Sequence, residues 1–249
     1  MNILFTICGR AGSKGVKNKN VKEMCGHPLV YYTLAAIKGY KDNHPDRNIY
    51  VALNTDSNLL VEIVRDQHYI EDVIFVNRKE SLAGDVVAKV EVIKDTYLSV
   101  KNSNKMEFDA VVDLDITSPM RRVTDIEAAV DSLLDTPEYD LVFSVVKARR
   151  SPYFNMVEKK EDGMYRKICK SMYSTRQQTP QSYELNASIY SYRPRFLESN
   201  IDKTILDYNC GIVEMDDYLV LDIDSEDDFE MMQILYKYYS EKDESIVRC

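Results

Sequence analysis

The residues that follow Met1 place an anion-binding chemistry at the head of the chain. Asn2 to Cys8 is a short apolar run that breaks at once into Gly9-Arg10-Ala11-Gly12-Ser13-Lys14-Gly15, with Lys17, Lys19 and Asn20 close behind. The glycines permit positive φ and let the backbone approach a ligand closely. Successive backbone N–H groups in such a turn can line a concavity for an anion, and Arg10, Lys14, Lys17 and Lys19 add positive charge beside it. Phosphate is the ligand that suits this composition. The spacing is neither that of a Walker A loop nor G-x-G-x-x-G, because Gly9, Gly12 and Gly15 stand three apart. The competing reading is a surface loop with solvated lysines.

A second constellation is Leu221-Asp222-Ile223-Asp224. Two carboxylates separated by one residue project to the same face if the segment is extended. A divalent cation relieves their repulsion, and Mg²⁺ typically takes one or two carboxylates plus substrate phosphates. Helix capping is the alternative: Asp224 or Ser225 can cap a helix over Ser225–Tyr239. Both hold together if Ser225 caps and Asp224 stays free for the metal.

The elements that must carry these residues alternate along the chain. Strands are expected at Asn2–Cys8, Asn48–Leu53, Val73–Val76, Asp109–Leu114, Asp140–Val146 and Tyr218–Ile223. Helices are expected from Pro28 to Lys38, over Ser57–Gln67 and Val86–Val100, from a cap at Thr124 through Leu134, and over Ser225–Tyr239. This alternation predicts an α/β fold with a doubly wound, mostly parallel sheet. Ligands of such sheets collect at the carboxyl ends of strands, where the first loop, Asp56 and Asp115 fall. From 147 to 207 the rhythm changes to short strand-like pieces (Tyr153–Val157, Ala187–Tyr192), Pro-bearing turns and frequent tyrosines. That stretch reads as a lobe inserted into one domain spanning 1–249.

A formal charge of −9 argues against a general nucleic-acid coat. No run approaches the roughly 18 apolar residues of a membrane span, and the N-terminus enters a strand without a basic leader or cleavage site. Cys8, Cys25, Cys169, Cys210 and Cys249 are scattered and odd in number, and His27, His44 and His68 are isolated. Neither a disulfide framework nor a zinc site follows, and a reduced, cytoplasmic protein is expected. Met231 and Met232 are expected in the core, and Cys8 inert within its strand.

The loop R-x-G-S-K-G at Arg10–Gly15, followed by K-N, resembles the signature of the sugar-activating cytidylyltransferases, the CMP-sialic acid synthetase family in particular. Further stretches resemble that family in its order along nearly the whole chain. They are Arg78 with Leu82-Ala83-Gly84-Asp85, Asp113-Leu114-Asp115-Ile116-Thr117-Ser118-Pro119-Met120-Arg121, Arg176-Gln177-Gln178-Thr179-Pro180, Asn186-Ala187-Ser188-Ile189-Tyr190, and the Asp222/Asp224 pair. The resemblance implies a Rossmann-like nucleotidyltransferase fold in which Arg10, Ser13, Lys14, Lys19 and Asn20 hold CTP, with Arg78 and Asp85 flanking the nucleotide. Arg176, Gln177 and Tyr190 would face the acidic sugar, as would Asp115. Asp222 and Asp224 would ligate Mg²⁺, and Arg10, Lys19 and the two aspartates would carry catalysis.

The sequence departs from the family pattern at Asp115 (glutamine in the family), Gly84 (serine), Ala187 (glycine) and Ser188 (alanine). Asp115 matters most, since a carboxylate cannot donate a hydrogen bond as glutamine can. D-L-D-x-T-x-P-x-R and Arg150–Met156 look closer to the bacterial branch acting on legionaminic-type sugars. The implied reaction is CMP transfer from CTP to the anomeric hydroxyl of a nine-carbon α-keto acid sugar, releasing pyrophosphate, in a homodimer built on the 147–207 lobe. No side chain is singled out as the base. The alternatives are a cytidylyltransferase for deoxy-manno-octulosonate or methylerythritol phosphate, and a regulatory protein that binds nucleotide without turnover.

Overall fold

The computed structural model describes residues 1–12, 15–84 and 86–249. Ser13, Lys14 and Asp85, all expected nucleotide contacts, lie outside the described residues. One sheet holds the strands β1 (Asn2–Cys8), β2 (Asn48–Thr55), β3 (Val73–Asn77), β4 (Ala110–Leu114), β5 (Leu141–Lys147), β6 (Tyr183–Tyr192) and β7 (Cys210–Glu214). Their order is β3-β2-β1-β4-β6-β5-β7. Every pairing is parallel except those of β6, which runs antiparallel between β4 and β5. The expected doubly wound, mostly parallel sheet is what forms.

Side-chain alternation along β1 sends Ile3, Phe5 and Ile7 to one core and Leu4 to the other. The first core is closed by α1 (Leu29–Asn43), α2 (Asn58–Arg65), α4 (Val123–Asp135) and α6 (Glu226–Ser240). The second is closed by α3 (Lys89–Asn104) and α5 (Pro194–Glu198). Burial on both faces explains why these strands read as unbroken apolar runs. The chain moves outward from β1 to β2 and β3, then returns across β1 to β4. That reversal opens a crevice beyond the carboxyl ends of β1 and β4.

Several local expectations are corrected. The last strand is Cys210–Glu214, whereas Tyr218–Ile223 is not a strand: Asp217–Leu219 forms one 3-10 turn and the chain continues irregularly. Its apolar residues Leu219 and Ile223 are spent as plugs in the first core instead. Tyr153–Val157 is mostly turn, with three backbone N–H groups converging on the Ser151 carbonyl, and a hairpin pairs Val157–Lys159 with Tyr165–Lys167. Residues 183–192 of the irregular stretch join the central sheet as β6. Helix α4 starts at Val123, and the Asp125 carboxylate, rather than Thr124, accepts the Arg122 N–H. Met232 is buried as expected, but Met231 is 51% exposed.

Candidate active site

The glycine-rich loop leaves β1 at the crevice and is held there by its neighbours. Gly9 N–H donates to the Asn54 carbonyl (3.1 Å), and Ala11 N–H to Asp56 Oδ1 (2.7 Å). Asn20 Nδ2 donates to the Arg10 carbonyl (3.2 Å), closing the loop on itself. Two N–H groups of the turn are therefore used internally. Gly12 has φ +71°, the left-handed region that favours glycine. Gly15 serves close approach: a Cβ there would stand 1.7 Å from the carbonyl oxygen of Asp224. The third glycine of the loop thus packs against the backbone of the acidic pair.

That pair is positioned without a strand. Ile223 N–H donates to the Thr117 carbonyl (3.0 Å), and Lys19 Nζ donates to the Ile223 carbonyl (2.5 Å). The Ser118 hydroxyl lies 3.3 Å from Asp222 Oδ1 and 3.1 Å from the Asn186 carbonyl. Burial pushes the Asp222 carboxyl up, and the charges of Asp115 and Asp224 push the same way against Lys19. Asp224 is 81% exposed and 3.5 Å from Lys19 Nζ. Ser225 caps α6, accepting from Asp228 N–H (3.1 Å), so the Asp224 carboxylate is left for the cleft.

The opposite wall is the segment after β4. Arg121 is fully buried and binds the carbonyls of Asp115 and Ser118, which fixes the Thr117-Ser118 turn. Burial lowers the Arg121 guanidinium to about 10, but it stays charged. Burial alone would raise the Asp115 carboxyl, yet the Lys89 ammonium and the Thr117 N–H and hydroxyl bring it down to about 2.

A cleft of roughly 440 Å³ brings Arg10, Lys19, Asn20, Arg78, Asp115, Asp222 and Asp224 together. Arg10 Nη1 reaches the Ala83 carbonyl (3.4 Å), spanning to the segment expected to flank the nucleotide. Arg78 is buried, and Asn54 Oδ1 accepts its Nε–H (2.9 Å). Tyr190 lies one side away, in a neighbouring cavity with Tyr192 and Ile205. Arg176 and Gln177 are exposed on a short 3-10 helix and do not line the cleft; Arg176 Nη2 donates to the Ala148 carbonyl (3.0 Å). Lys17 is exposed outside it.

The residue that sequence reasoning missed is Lys89, the first residue of α3, whose ammonium lies between Asp113 and Asp115. A signal was present: Asp113 sits inside an apolar strand, and a buried carboxylate requires a partner. Cys8 also lines the cleft, and burial and Asp113 raise its thiol well above the ordinary range, which disfavours the reactive thiolate.

Lys19 links the loop to the acidic segment and faces the cleft. Lys19→Ala is expected to raise the CTP KM about 10- to 100-fold, the worth of a hydrogen bond to a charged group. Steady-state kinetics with CTP varied checks this, and unchanged CTP dependence would leave Lys19 a structural tie alone.

A model of the cytidylyltransferase family matches residues 4–243. The chain is 35% identical over 235 residues to the post-translational flagellin modification protein B of Campylobacter coli, covering 94% of this chain and 95% of that protein. It is also 35% identical over 236 residues to the CMP-N,N'-diacetyllegionaminic acid synthase of Campylobacter jejuni subsp. jejuni serotype O:2, covering 94% of each. The structure of a CMP:2-keto-3-deoxy-manno-octonic acid synthetase complexed with CTP superposes with a TM-score of 0.67 at 15% identity, over 96% of this chain and 100% of that one. At that identity the likeness concerns the fold.

Proposed function

Because the chain belongs to the cytidylyltransferase family, we propose that it transfers CMP from CTP to the anomeric hydroxyl of a nine-carbon α-keto acid sugar of the legionaminic or sialic type. The observation that carries this reading is the contact of Gly15 with the Asp224 backbone. It sets a basic, glycine-rich loop against two carboxylates at the crevice between β1 and β4. A relative that shares a third of the sequence over nearly full length, the CMP-N,N'-diacetyllegionaminic acid synthase, supports the acceptor class.

Phosphoryl transfer asks an enzyme mainly to position the reactants and to stabilise charge. Arg10, Lys19 and Asn20 hold the triphosphate, and Arg78 shapes the nucleotide side. Asp222 and Asp224 fit Mg²⁺: two neighbouring carboxylates, one raised by burial and by its acidic neighbours, match an ion that completes its shell with phosphate oxygens and water. When bound, that ion neutralises charge on the phosphates. The anomeric oxygen attacks the α-phosphorus and pyrophosphate leaves. Pyrophosphate release with a panel of acceptors tests the assignment. Turnover confined to deoxy-manno-octulosonate or methylerythritol phosphate, or CTP binding without turnover, would replace it.

The protein is further proposed to act as a homodimer through the 147–207 stretch. Met164, Tyr165 and Met172 are 61%, 68% and 98% exposed there, beside the exposed Arg176 and Gln177. Exposed apolar side chains of this size are suited to a partner surface, and docking would let Arg176 reach the acceptor carboxylate from outside the cleft. Sedimentation is expected to give a dimer at micromolar concentration; a monomer would contradict this.

A further inference from the structure

Lys89 opens α3 above the face of β4 that carries Asp113. Its Nζ lies 2.6 Å from Asp113 Oδ2 and 2.5 Å from Asp115 Oδ2. Asp113 is fully buried and accepts the Thr6 hydroxyl (2.8 Å). Asp115 Oδ1 accepts the Thr117 N–H (3.1 Å) and hydroxyl (2.9 Å). An ammonium has three donors, and a carboxylate has about four acceptor positions. The ion pair to Asp113 and the hydrogen bond to Asp115 leave at least one donor on Lys89 and about one acceptor position on Asp115. Lys89 lines both the cleft and the adjoining cavity walled by Val90, Tyr190, Tyr192 and Ile205.

We propose that Lys89 and Asp115 form a divided donor–acceptor pair that reads one neutral polar group of the acceptor sugar, a hydroxyl or an acylamino group, at the seam of the two cavities. This rests on the cytidylyltransferase reading of the site. An ammonium only donates and a carboxylate only accepts, so together they offer what one primary amide offers alone. Two carboxylates around one ammonium leave a net negative charge, and Asp222 and Asp224 line the same cleft. A second anionic group is turned away there, and a neutral one is selected. Asp113 is the positioning residue: buried and fixed by Thr6, it holds the ammonium in place.

The competing role for Lys89 is that of a mere counter-ion to Asp113. Lys89→Met combined with Asp113→Asn removes one charge of each sign, so that Asp113 is not left as an unpaired buried carboxylate while Asp115 keeps its Thr117 hydrogen bonds. The double variant is expected to melt near the wild type, with CTP KM unchanged and kcat/KM for the nonulosonate lowered about 10- to 100-fold. Adding Asp115→Gln returns donor and acceptor to one side chain and is expected to recover on the order of tenfold. Asp115→Ala, which leaves the Lys89–Asp113 pair intact, is expected to lose acceptor kcat/KM alone, so it decides the matter if the double variant misfolds. Wild-type acceptor kinetics in the double variant or in Asp115→Ala, no recovery in the triple, or a loss confined to CTP overturns the proposal. Wild-type turnover with the nonulosonate tests the underlying functional reading separately.

Discussion

Asp222→Asn and Asp224→Asn are each expected to lower turnover by about two to three orders of magnitude, equivalent to several kcal/mol of charge stabilisation, while the protein stays folded. Asparagine keeps the shape of the side chain, and its carbonyl can still accept from the Ser118 hydroxyl near Asp222. The backbone tie from Ile223 to Thr117 and the Lys19 contact to the Ile223 carbonyl do not involve the carboxylates. Burial and the neighbouring Asp115 and Asp224 disfavour the charged form of Asp222 in the folded protein. Neutralising it is therefore expected to leave the melting temperature equal or raised as turnover collapses. That opposition separates a functional carboxylate from a structural one. Near wild-type rates in both variants would remove the pair from the mechanism.

Gly15→Ala is expected to lower kcat/KM for CTP by at least about 100-fold, the cost of misplacing a reacting group by about an ångström. The added Cβ would lie 1.7 Å from the Asp224 carbonyl oxygen, where real contacts begin near 3.0 Å, so loop and acidic segment must part by more than an ångström. The obstacle is backbone, which cannot swing aside as a side-chain tip can. Gly12→Ala is the control. Nothing lies within 4 Å of its Cβ, so only the positive φ is penalised, by about 1–2 kcal/mol. Its effect falls on stability, with CTP kinetics moving far less than in Gly15→Ala. Equal kinetic effects of the two substitutions would mean that the contact between loop and acidic pair does not matter.

The parallel sheet was legible because its strands are buried on both faces and bounded by clear turns: NILFTIC, NIYVALNT and LVFSVVK announce themselves. The loop was legible for the same reason, since Gly9 to Gly15 interrupts an apolar run. The edge strand β7 was not. CGIVE is short and alternates buried with exposed residues, while the more apolar YLVLDI beside it makes no ladder and plugs the core with Leu219 and Ile223. Ala187, standing where the family pattern has glycine, takes φ +54°, so that departure marks a real backbone demand. Lys89 was hidden because its partners lie 24 and 26 residues downstream, joined only when α3 packs over β4. Sequence distance carries no trace of such a contact. Arg176 illustrates the opposite case, a residue singled out by motif that one chain does not bring to the cleft.

The central claim, that the anomeric oxygen of a nonulosonate is joined to the α-phosphorus of CTP in this cleft, is tested most directly by isotope placement. The enzyme is supplied with CTP, Mg²⁺ and N,N'-diacetyllegionaminic acid carrying ¹⁸O at the anomeric position, and the products are read by ³¹P NMR and mass spectrometry. The account predicts stoichiometric pyrophosphate and a CMP-sugar with ¹⁸O in the bridge between sugar and phosphorus. Pyrophosphate accompanied by free CMP, with the label still on unreacted sugar, would contradict it.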